Sequence, residues 1–235
     1  TDTVMKTLYA TDASAYREMP LGVAIPETEE DLKKIIRFAD QHSIPLIPRT
    51  AGTSLAGQVV GKALVVDVSK FFNRILEINK EESYVWVEPG VVRDVLNVEL
   101  KKQGLFFGPE TSTANRAMIG GMVGNNSCGS NSVVYGSTRD HVLEVEGYLS
   151  DGSPVHFKAE DPFETIKTLE KGSRLHGIYE KTLASLSDPK HQKNITEEFP
   201  KPSIDRRNTG YAVDMLLHTK AFEPIDAPFN FCSLI

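Results

Sequence analysis

The sequence contains few of the residues that characterise secreted or metal-binding proteins. Its 235 residues include only two cysteines, Cys128 and Cys232, which lie far apart and are spaced neither as CxxC nor beside a histidine. A disulfide framework requires more cysteines, and a zinc site requires closely spaced ligands. The cysteine content therefore predicts a protein of a reducing compartment without a metal site, and we expect a cytoplasmic location.

Two further absences exclude other classes of protein. No apolar run approaches the roughly 18 residues that a membrane span requires, and the N-terminal residues lack the pattern of a signal peptide. We therefore expect no transmembrane segment. The net charge of −6 gives the protein as a whole no attraction for nucleic acid, so we expect no nucleic-acid partner. Any bound diphosphate must then be held by local groups.

The phosphate loop of nucleoside-triphosphatases, G-x-x-x-x-G-K-[ST], is also absent. Gly52 and Gly57 have the required spacing, but Gln58 occupies the position of the lysine. This difference argues against a nucleoside-triphosphatase. The six histidines are scattered, and their spacing favours surface or strand positions over metal coordination: His42, His141, His156, His176, His191 and His218.

A stretch rich in glycine, amides and hydroxyls, residues 108–136, is the most informative part of the chain. Its sequence is GPETSTANRAMIGGMVGNNSCGSNSVVYG, and we call it the second loop. Its small residues let the backbone approach a ligand closely and offer N–H groups to it. A purely structural loop of this length is uncommon in a compact domain. The composition predicts a cofactor loop, in which Cys128 is interpreted as a packed thiol and not as a nucleophile.

A shorter stretch of similar character, residues 48–58, lies between two predicted strands, and we call it the first loop. Its sequence is PRTAGTSLAGQ, and its successive N–H groups from Ala51 to Leu55 can bind an anion. An ordinary connection between strands would have the same composition, so this loop alone leaves both interpretations open. Two such loops suit a dinucleotide better than a lone phosphate.

The secondary-structure pattern over residues 23–103 predicts the order β-α-β-β-β-β-α, which differs from the alternation of a Rossmann fold. Thr28 is predicted to cap a helix that runs to about Gln41. Asp151 and Gly152 predict a hairpin turn between arms at 141–149 and 153–157. Further expectations are a loosely packed N-terminal segment with Tyr9 and Tyr16 as anchors, helices between 162 and 186, a surface connection at 187–203, a helix at 212–217 and a strand-like run at 229–235. Natural termini are usually polar, so this last run suggests a piece of a longer protein.

Five motifs in order resemble the FAD-binding domain of the vanillyl-alcohol oxidase and p-cresol methylhydroxylase family, and most closely its FAD-linked D-2-hydroxy-acid dehydrogenases. They lie at 48–54 (PRTAGTS), 87–91 (VEPGV), 108–112 (GPETS), 119–129 (IGGMVGNNSCG) and 135–136 (YG). The resemblance implies an α+β fold, a two-subdomain FAD-binding domain of the p-cresol methylhydroxylase type. Its parts would be an N-terminal segment at 1–22, a first subdomain at 23–80 and a second subdomain at 81–235.

The resemblance also implies which residues hold the cofactor. Thr53 stands where covalently flavinylated members carry a histidine, so FAD is expected to be non-covalent. The implied FAD-binding residues are Pro48, Arg49, Thr50, Ala51, Gly52, Thr53, Ser54 and Gln58 of the first loop, Pro109, Glu110, Thr111, Ser112, Gly120, Gly121, Gly124, Asn125, Asn126, Ser127, Gly129 and Gly136 of the second loop, and Val142.

The activity that the resemblance implies is oxidation of a D-2-hydroxy acid of the lactate, glycolate or 2-hydroxyglutarate type, with an electron acceptor that is an iron–sulfur segment or subunit in similar large members. The catalytic base and any metal ligands would lie beyond residue 235, so no catalytic residue is assigned. Two alternatives stay open at this point: a non-catalytic FAD-binding module, and an NADPH-dependent nucleotide-sugar reductase on the same fold.

A basic segment, residues 206–211 (RRNTGY), allows two interpretations. Arg206, Arg207 and Tyr211 are candidates to contact the flavin or a substrate carboxylate, because guanidinium groups pair well with carboxylates. A solvated basic loop before a helix would have the same sequence.

Overall fold

The computed structural model describes residues 2–201, 203–204, 207 and 210–235. The chain divides into two compact units, Thr1–Asn131 and Ser132–Ile235. Both contain helices and strands, as the predicted mixed fold class requires. Within the described residues, no helix is long and apolar enough to cross a lipid bilayer.

The first unit contains a three-stranded parallel sheet that carries the first loop. Its strands are β1 (Gly22–Ala24), β2 (Leu46–Arg49) and β3 (Leu64–Asp67), in the order β1-β3-β2. A short helix, α1 (Thr3–Leu8), precedes the sheet, and α2 (Glu29–Gln41) connects β1 to β2. Thr28 and Asp31 form a reciprocal capping box at the start of α2, as predicted. The first loop leaves the sheet where β2 ends.

An antiparallel pair and two helices complete the first unit. The strands are β4 (Ile75–Asn79) and β5 (Tyr84–Val87), and the helices are α3 (Arg93–Lys101) and α4 (Ile119–Gly124). Apolar side chains of α3, α4 and the segments before them form a buried core against the hairpin: Val91, Leu96, Leu100, Ala117, Ile119 and Met122. Burial of this cluster fixes α4, and with it the middle of the second loop, on the surface of the unit.

The second unit is mainly helical. It contains α5 (Ser132–Tyr135), a 3-10 turn (Thr138–His141), the hairpin β6 (Val145–Tyr148) and β7 (Pro154–Phe157), and then α6 (Pro162–Thr168), α7 (Arg174–Ser187), α8 (Pro189–Glu198), α9 (Val213–Leu217) and a final 3-10 turn (Phe231–Leu234). Its core is built around aromatic rings, with Phe231 in contact with Phe157, Tyr179 and Phe229 at centroid distances of 5.2, 4.9 and 5.1 Å.

The structure confirms the predicted order of strands and helices up to residue 103, the hairpin with its turn at Asp151 and Gly152, and the helix that precedes His218. Residues 187–203 were predicted as a surface connection, and this is wrong because most of them form α8. Asp188 accepts a hydrogen bond from the Lys190 N–H and Pro189 occupies the first turn, so this end is a well-formed helix start.

Four other expectations are corrected. The apolar run at 229–235 is not a strand, because Asn230 accepts a hydrogen bond from the Cys232 N–H and starts a 3-10 turn. His141 belongs to the 3-10 turn before β6 and not to a hairpin arm. The second loop is not irregular throughout, since it contains α4 and α5. The N-terminal segment is not loosely packed, because Ala10 is fully buried and Tyr9 is bonded to β3.

Candidate cofactor site

The first loop presents a run of backbone donors without internal acceptors. From Thr50 to Leu55, no backbone N–H donates a hydrogen bond to any residue that the structure describes. The run ends at Leu55, because the N–H groups of Ala56 and Gln58 donate to the Ser54 hydroxyl oxygen at 3.4 and 3.1 Å. Successive unpaired N–H groups on a half-buried loop form a binding site for an anion.

Arg49 lies beside this run and brings the only formal positive charge of the first loop. Its side chain folds against the loop backbone, because a Cβ atom on Gly52 would lie 2.4 Å from Arg49 Nη2. Gly52 also has a φ of +64°, a conformation that glycine adopts without strain. Arg49 Nη1 donates to the carbonyl oxygen of Tyr9 at 3.4 Å, and its guanidinium carbon lies 5.2 Å from the centre of the Tyr9 ring.

The start of the second loop has a similar run of free donors. From Glu110 to Thr113, no backbone N–H has an acceptor among the described residues. Pro109 is fully buried ahead of this run, and Arg93 of α3 anchors it by donating from Nε to the Pro109 carbonyl oxygen at 3.1 Å. The glycine at position 129 lets the loop return across this segment, since a Cβ there would lie 2.1 Å from the Glu110 carbonyl oxygen.

The three glycines predicted to allow a close approach have different neighbours. A Cβ atom on Gly120 would lie 2.4 Å from Pro89 Cβ, so this glycine serves the packing of α4 on the protein itself. A Cβ on Gly121 would lie 2.6 Å from the Thr50 hydroxyl oxygen, so this glycine lets the two loops touch. A Cβ on Gly124 would meet nothing within 4 Å, which leaves the exposed end of α4 open to a ligand.

Two polar side chains join the first and second loops. Gln58 Nε2 donates to Asn125 Oδ1 at 2.7 Å, and Asn125 Nδ2 donates to the Ser127 hydroxyl at 3.1 Å. Asn126 is buried with a φ of +42°, which turns the chain after α4. The structure thus brings the first loop, with its run of free N–H groups, against the part of the second loop that contains α4 and the turn after it.

The remaining predicted residues belong to the second unit. Gly136 has a φ of +73°, and a Cβ there would lie 2.5 Å from Asp140 Oδ2, which caps the adjacent 3-10 turn through Ser137. Val142 follows that turn and is half-buried. Arg206 lies outside the described residues.

Arg207 and Tyr211 line a small cavity of about 10 Å³ with Arg139 and Asp214. Arg207 Nη1 is paired with the buried carboxylate of Asp214. Arg139 is also buried and donates to the carbonyl oxygens of Ile235 and Arg207 at 2.8 and 3.1 Å. Burial lowers the pKa of Arg139, although the nearby carboxylate of Asp140 opposes this shift. Tyr211 is 74% exposed, so its ring is free of the core.

Comparison with known proteins identifies the family. The family model described as FAD binding domain matches residues 20–158, more than half of the chain and all of both loops. The chain belongs to the FAD-binding domain family. The predicted resemblance and the predicted cofactor, FAD, are thereby confirmed.

Two relatives of this FAD-binding domain are bacterial. It is 37% identical to the D-2-hydroxyglutarate dehydrogenase of Pseudomonas putida over 213 residues, and the matched residues make up 89% of this chain and 21% of that relative. It is 40% identical to the D-2-hydroxyglutarate dehydrogenase of Escherichia coli over 205 residues, which make up 86% of this chain and 20% of that relative. The chain spans about a fifth of the length of these relatives.

A solved structure of alkyldihydroxyacetonephosphate synthase has a similar fold. The TM-score is 0.54 at 18% sequence identity, over 62% of this chain and 29% of that chain. At this identity the likeness concerns the fold alone.

The residues of this FAD-binding domain fit the chemistry of the cofactor. FAD carries a pyrophosphate, and the free N–H groups from Thr50 to Leu55 beside Arg49 are donors suited to phosphate oxygens. The open position at Gly124 leaves space for a flat or chain-like group next to the second loop. Within the described residues, no group of three or more potential metal ligands is found.

Sequence reasoning named Tyr9 only as an anchor of the N-terminal segment and missed its partner Asp67. Tyr9 donates a hydrogen bond to the buried carboxylate of Asp67 at 2.5 Å, and neither residue belongs to a predicted loop. The pKa of Tyr9 is raised to about 12. Burial of the side chain is the larger cause, and this hydrogen bond is the second. Arg139 and Asp214 were also missed. A buried charged residue cannot be recognised from its neighbours in sequence, so only an alignment could have supplied a signal.

Proposed function

We propose that the chain is the FAD-binding portion of a flavoprotein dehydrogenase that oxidises a D-2-hydroxy acid, of the 2-hydroxyglutarate type, to the 2-oxo acid. The observation that carries this proposal is the pair of free N–H runs, at 50–55 and 110–113, on loops joined by the hydrogen bond from Gln58 to Asn125. The names of the bacterial relatives support the choice of substrate. Lactate and glycolate are smaller acids of the same chemical class.

The two loops would have different roles toward FAD. The N–H groups from Thr50 to Leu55 would bind the pyrophosphate, with Arg49 compensating its negative charge. The residues from Pro109 to Ser112 and from Gly120 to Gly129 would line the ribityl chain and the flavin ring. When bound, FAD supplies the acceptor for a hydride from the substrate α-carbon. The protein residues named here position the cofactor and do not themselves carry the proton transfer.

Several finer features belong to the same proposal. We infer a two-subdomain fold of the p-cresol methylhydroxylase type, with subdomains at 23–80 and 81–235. FAD is non-covalent, since Thr53 offers a hydroxyl and no imidazole at the attachment position. Electrons pass to an external acceptor, for which an iron–sulfur segment or subunit is our candidate. Cys128 and Cys232 form no disulfide, and this low cysteine content supports a location in the cytoplasm.

The proposal is tested by titrating the FAD-free chain with FAD and following the quenching of flavin fluorescence. Retention of a resolved flavin spectrum after gel filtration, with release of the flavin by acid, is the expected result. Failure of a folded chain to bind FAD would overturn the proposal. Flavin that stays attached after acid treatment would refute the non-covalent assignment.

The substrate class is tested by adding acids to the FAD-loaded protein without oxygen. A protein that contains the whole length of the relatives should be bleached by D-2-hydroxyglutarate and not by its L enantiomer. Bleaching by NADPH instead would favour a nucleotide-sugar reductase. FAD binding without reduction by any of these compounds would identify a non-catalytic binding module.

A further inference from the structure

Residues 9–16, which lie outside the range matched by the family model, contact the first loop at its beginning, middle and end. At the beginning, the Tyr9 ring lies against the Arg49 guanidinium. In the middle, the Ala13 N–H donates to the Gly52 carbonyl oxygen at 3.2 Å. At the end, a Cβ on Gly57 would lie 2.8 Å from the Tyr16 ring. We call residues 9–16 the brace.

The brace is itself attached to the sheet and folded back on itself. The Tyr9 hydroxyl donates to Asp67 Oδ2 at the end of β3, while Asp67 Oδ1 accepts from the Ser69 N–H at 2.7 Å. The Glu18 N–H donates to the Ala10 carbonyl oxygen at 2.9 Å, and Ala10 is fully buried. Contacts with a parallel sheet therefore fix the brace independently of any ligand.

The first loop needs such support because its own backbone forms few hydrogen bonds. Its N–H groups from Thr50 to Leu55 have no acceptor among the described residues, and only its first two residues belong to the sheet. A loop with few internal hydrogen bonds opens easily, and ordering it on binding lowers affinity. Contacts from residues 9–16 give the loop a defined shape and leave its N–H groups available for a ligand.

We propose that the brace holds the first loop in the conformation that binds the pyrophosphate, and that Tyr9 is a positioning residue for Arg49. This inference rests on the proposed function for the identity of the ligand. It adds that residues preceding the matched domain determine how tightly FAD binds. Tyr9 acts in two ways: its hydroxyl anchors the brace to Asp67, and its ring and carbonyl oxygen hold the guanidinium of Arg49.

Two measurements on the chain test the brace. The first is the FAD dissociation constant from fluorescence quenching. The second is the rate at which trypsin cleaves the bond after Arg49 in the FAD-free chain, identified by mass spectrometry, which reports loop opening without any cofactor. We expect Tyr9→Phe to weaken FAD binding by about tenfold and to speed this cleavage, since a buried carboxylate loses a hydrogen bond.

The controls separate the brace from general destabilisation. Tyr84→Phe removes a similar tyrosine-to-carboxylate hydrogen bond, to Glu77 at 2.6 Å, in the β4–β5 hairpin, and should change neither measurement. Tyr16→Ser removes an exposed ring and should act like Tyr9→Phe, whereas Tyr16→Phe keeps the ring and should restore both values. Tyr9→Leu, which also removes the ring beneath Arg49, should weaken FAD binding further than Tyr9→Phe.

The outcomes distinguish the two proposals. Unchanged FAD affinity and unchanged cleavage in Tyr9→Phe and Tyr16→Ser would overturn the brace. If the unmodified chain binds no FAD, the proposed function fails, and the cleavage rates still decide whether the brace holds the loop. Faster cleavage in Tyr84→Phe, equal to that in Tyr9→Phe, would show a general loss of stability and would also overturn the brace.

Discussion

The side-chain amide of Gln58 donates a 2.7 Å hydrogen bond to the amide oxygen of Asn125, which lies 67 residues further along the chain. This contact joins the loop after β2 to the end of α4. Both partners are exposed, so the bond contributes little to the stability of the fold. Its effect is to hold two polar loops at one defined separation, which a ligand that spans both loops requires.

Gln58→Ala should therefore weaken FAD binding by about fivefold while leaving the unfolding free energy almost unchanged. Fluorescence quenching measures the affinity, and urea denaturation measures the stability. Gln103→Ala is the matched control, because Gln103 is an exposed glutamine of the same unit outside both loops. Equal affinities of the two variants would contradict the role assigned to Gln58.

Gly120 and Gly124 should respond to alanine in opposite ways. Gly120→Ala should lower the unfolding free energy by about 1–3 kcal/mol, because the new Cβ would overlap Pro89. Gly124→Ala should not destabilise the fold, since its Cβ meets no atom within 4 Å and alanine favours the helix. It should nevertheless weaken FAD binding. A Gly124→Ala protein with full FAD affinity would remove this glycine from the proposed site.

Tyr179→Phe should destabilise the second unit. The buried Tyr179 hydroxyl donates to Glu160 Oε1, and Glu160 Oε2 accepts from the Thr165 hydroxyl at 2.8 Å. Burial and the hydrogen bond to Glu160 raise the pKa of Tyr179 above its ordinary value. Loss of this donor should lower the unfolding free energy by about 1–2 kcal/mol in urea denaturation. The exposed hydrogen bond from Tyr84 to Glu77 is the comparison. If Tyr84→Phe lowers the unfolding free energy by the same amount, burial is not the cause of the loss.

The contribution of Tyr9 to stability should depend on pH. Its pKa in the folded protein, about 12, is raised above the ordinary value of 10.0. The neutral hydroxyl is the form that the folded state favours, so its contribution is fully present below pH 10 and is lost as the pH rises through 12. The difference in unfolding free energy between the unmodified chain and Tyr9→Phe should thus decrease over this interval. A difference that stays constant from neutral pH to pH 12 would contradict this assignment.

Local sequence determined much of this protein. The capping box of Thr28 and Asp31 and the turn at Asp151 and Gly152 depend on residues a few positions apart, so their side chains and backbone preferences suffice to predict them. The two glycine-rich loops were found for the same reason. Their composition marks a backbone that can offer N–H groups, whatever surrounds it. The family motifs then identified FAD as the ligand.

Only the tertiary structure determines which contacts each of these residues makes. Gly120 and Gly124 are indistinguishable in the sequence, yet one packs on Pro89 and the other faces open space. The contact of Tyr9 with Asp67 joins residues 58 positions apart, and no local pattern encodes such a pairing. Ile195 of α8 is buried, and its burial likewise depends on the other residues of the second unit's core. These features follow from packing between distant segments, whose free energy is determined only once the whole chain has folded.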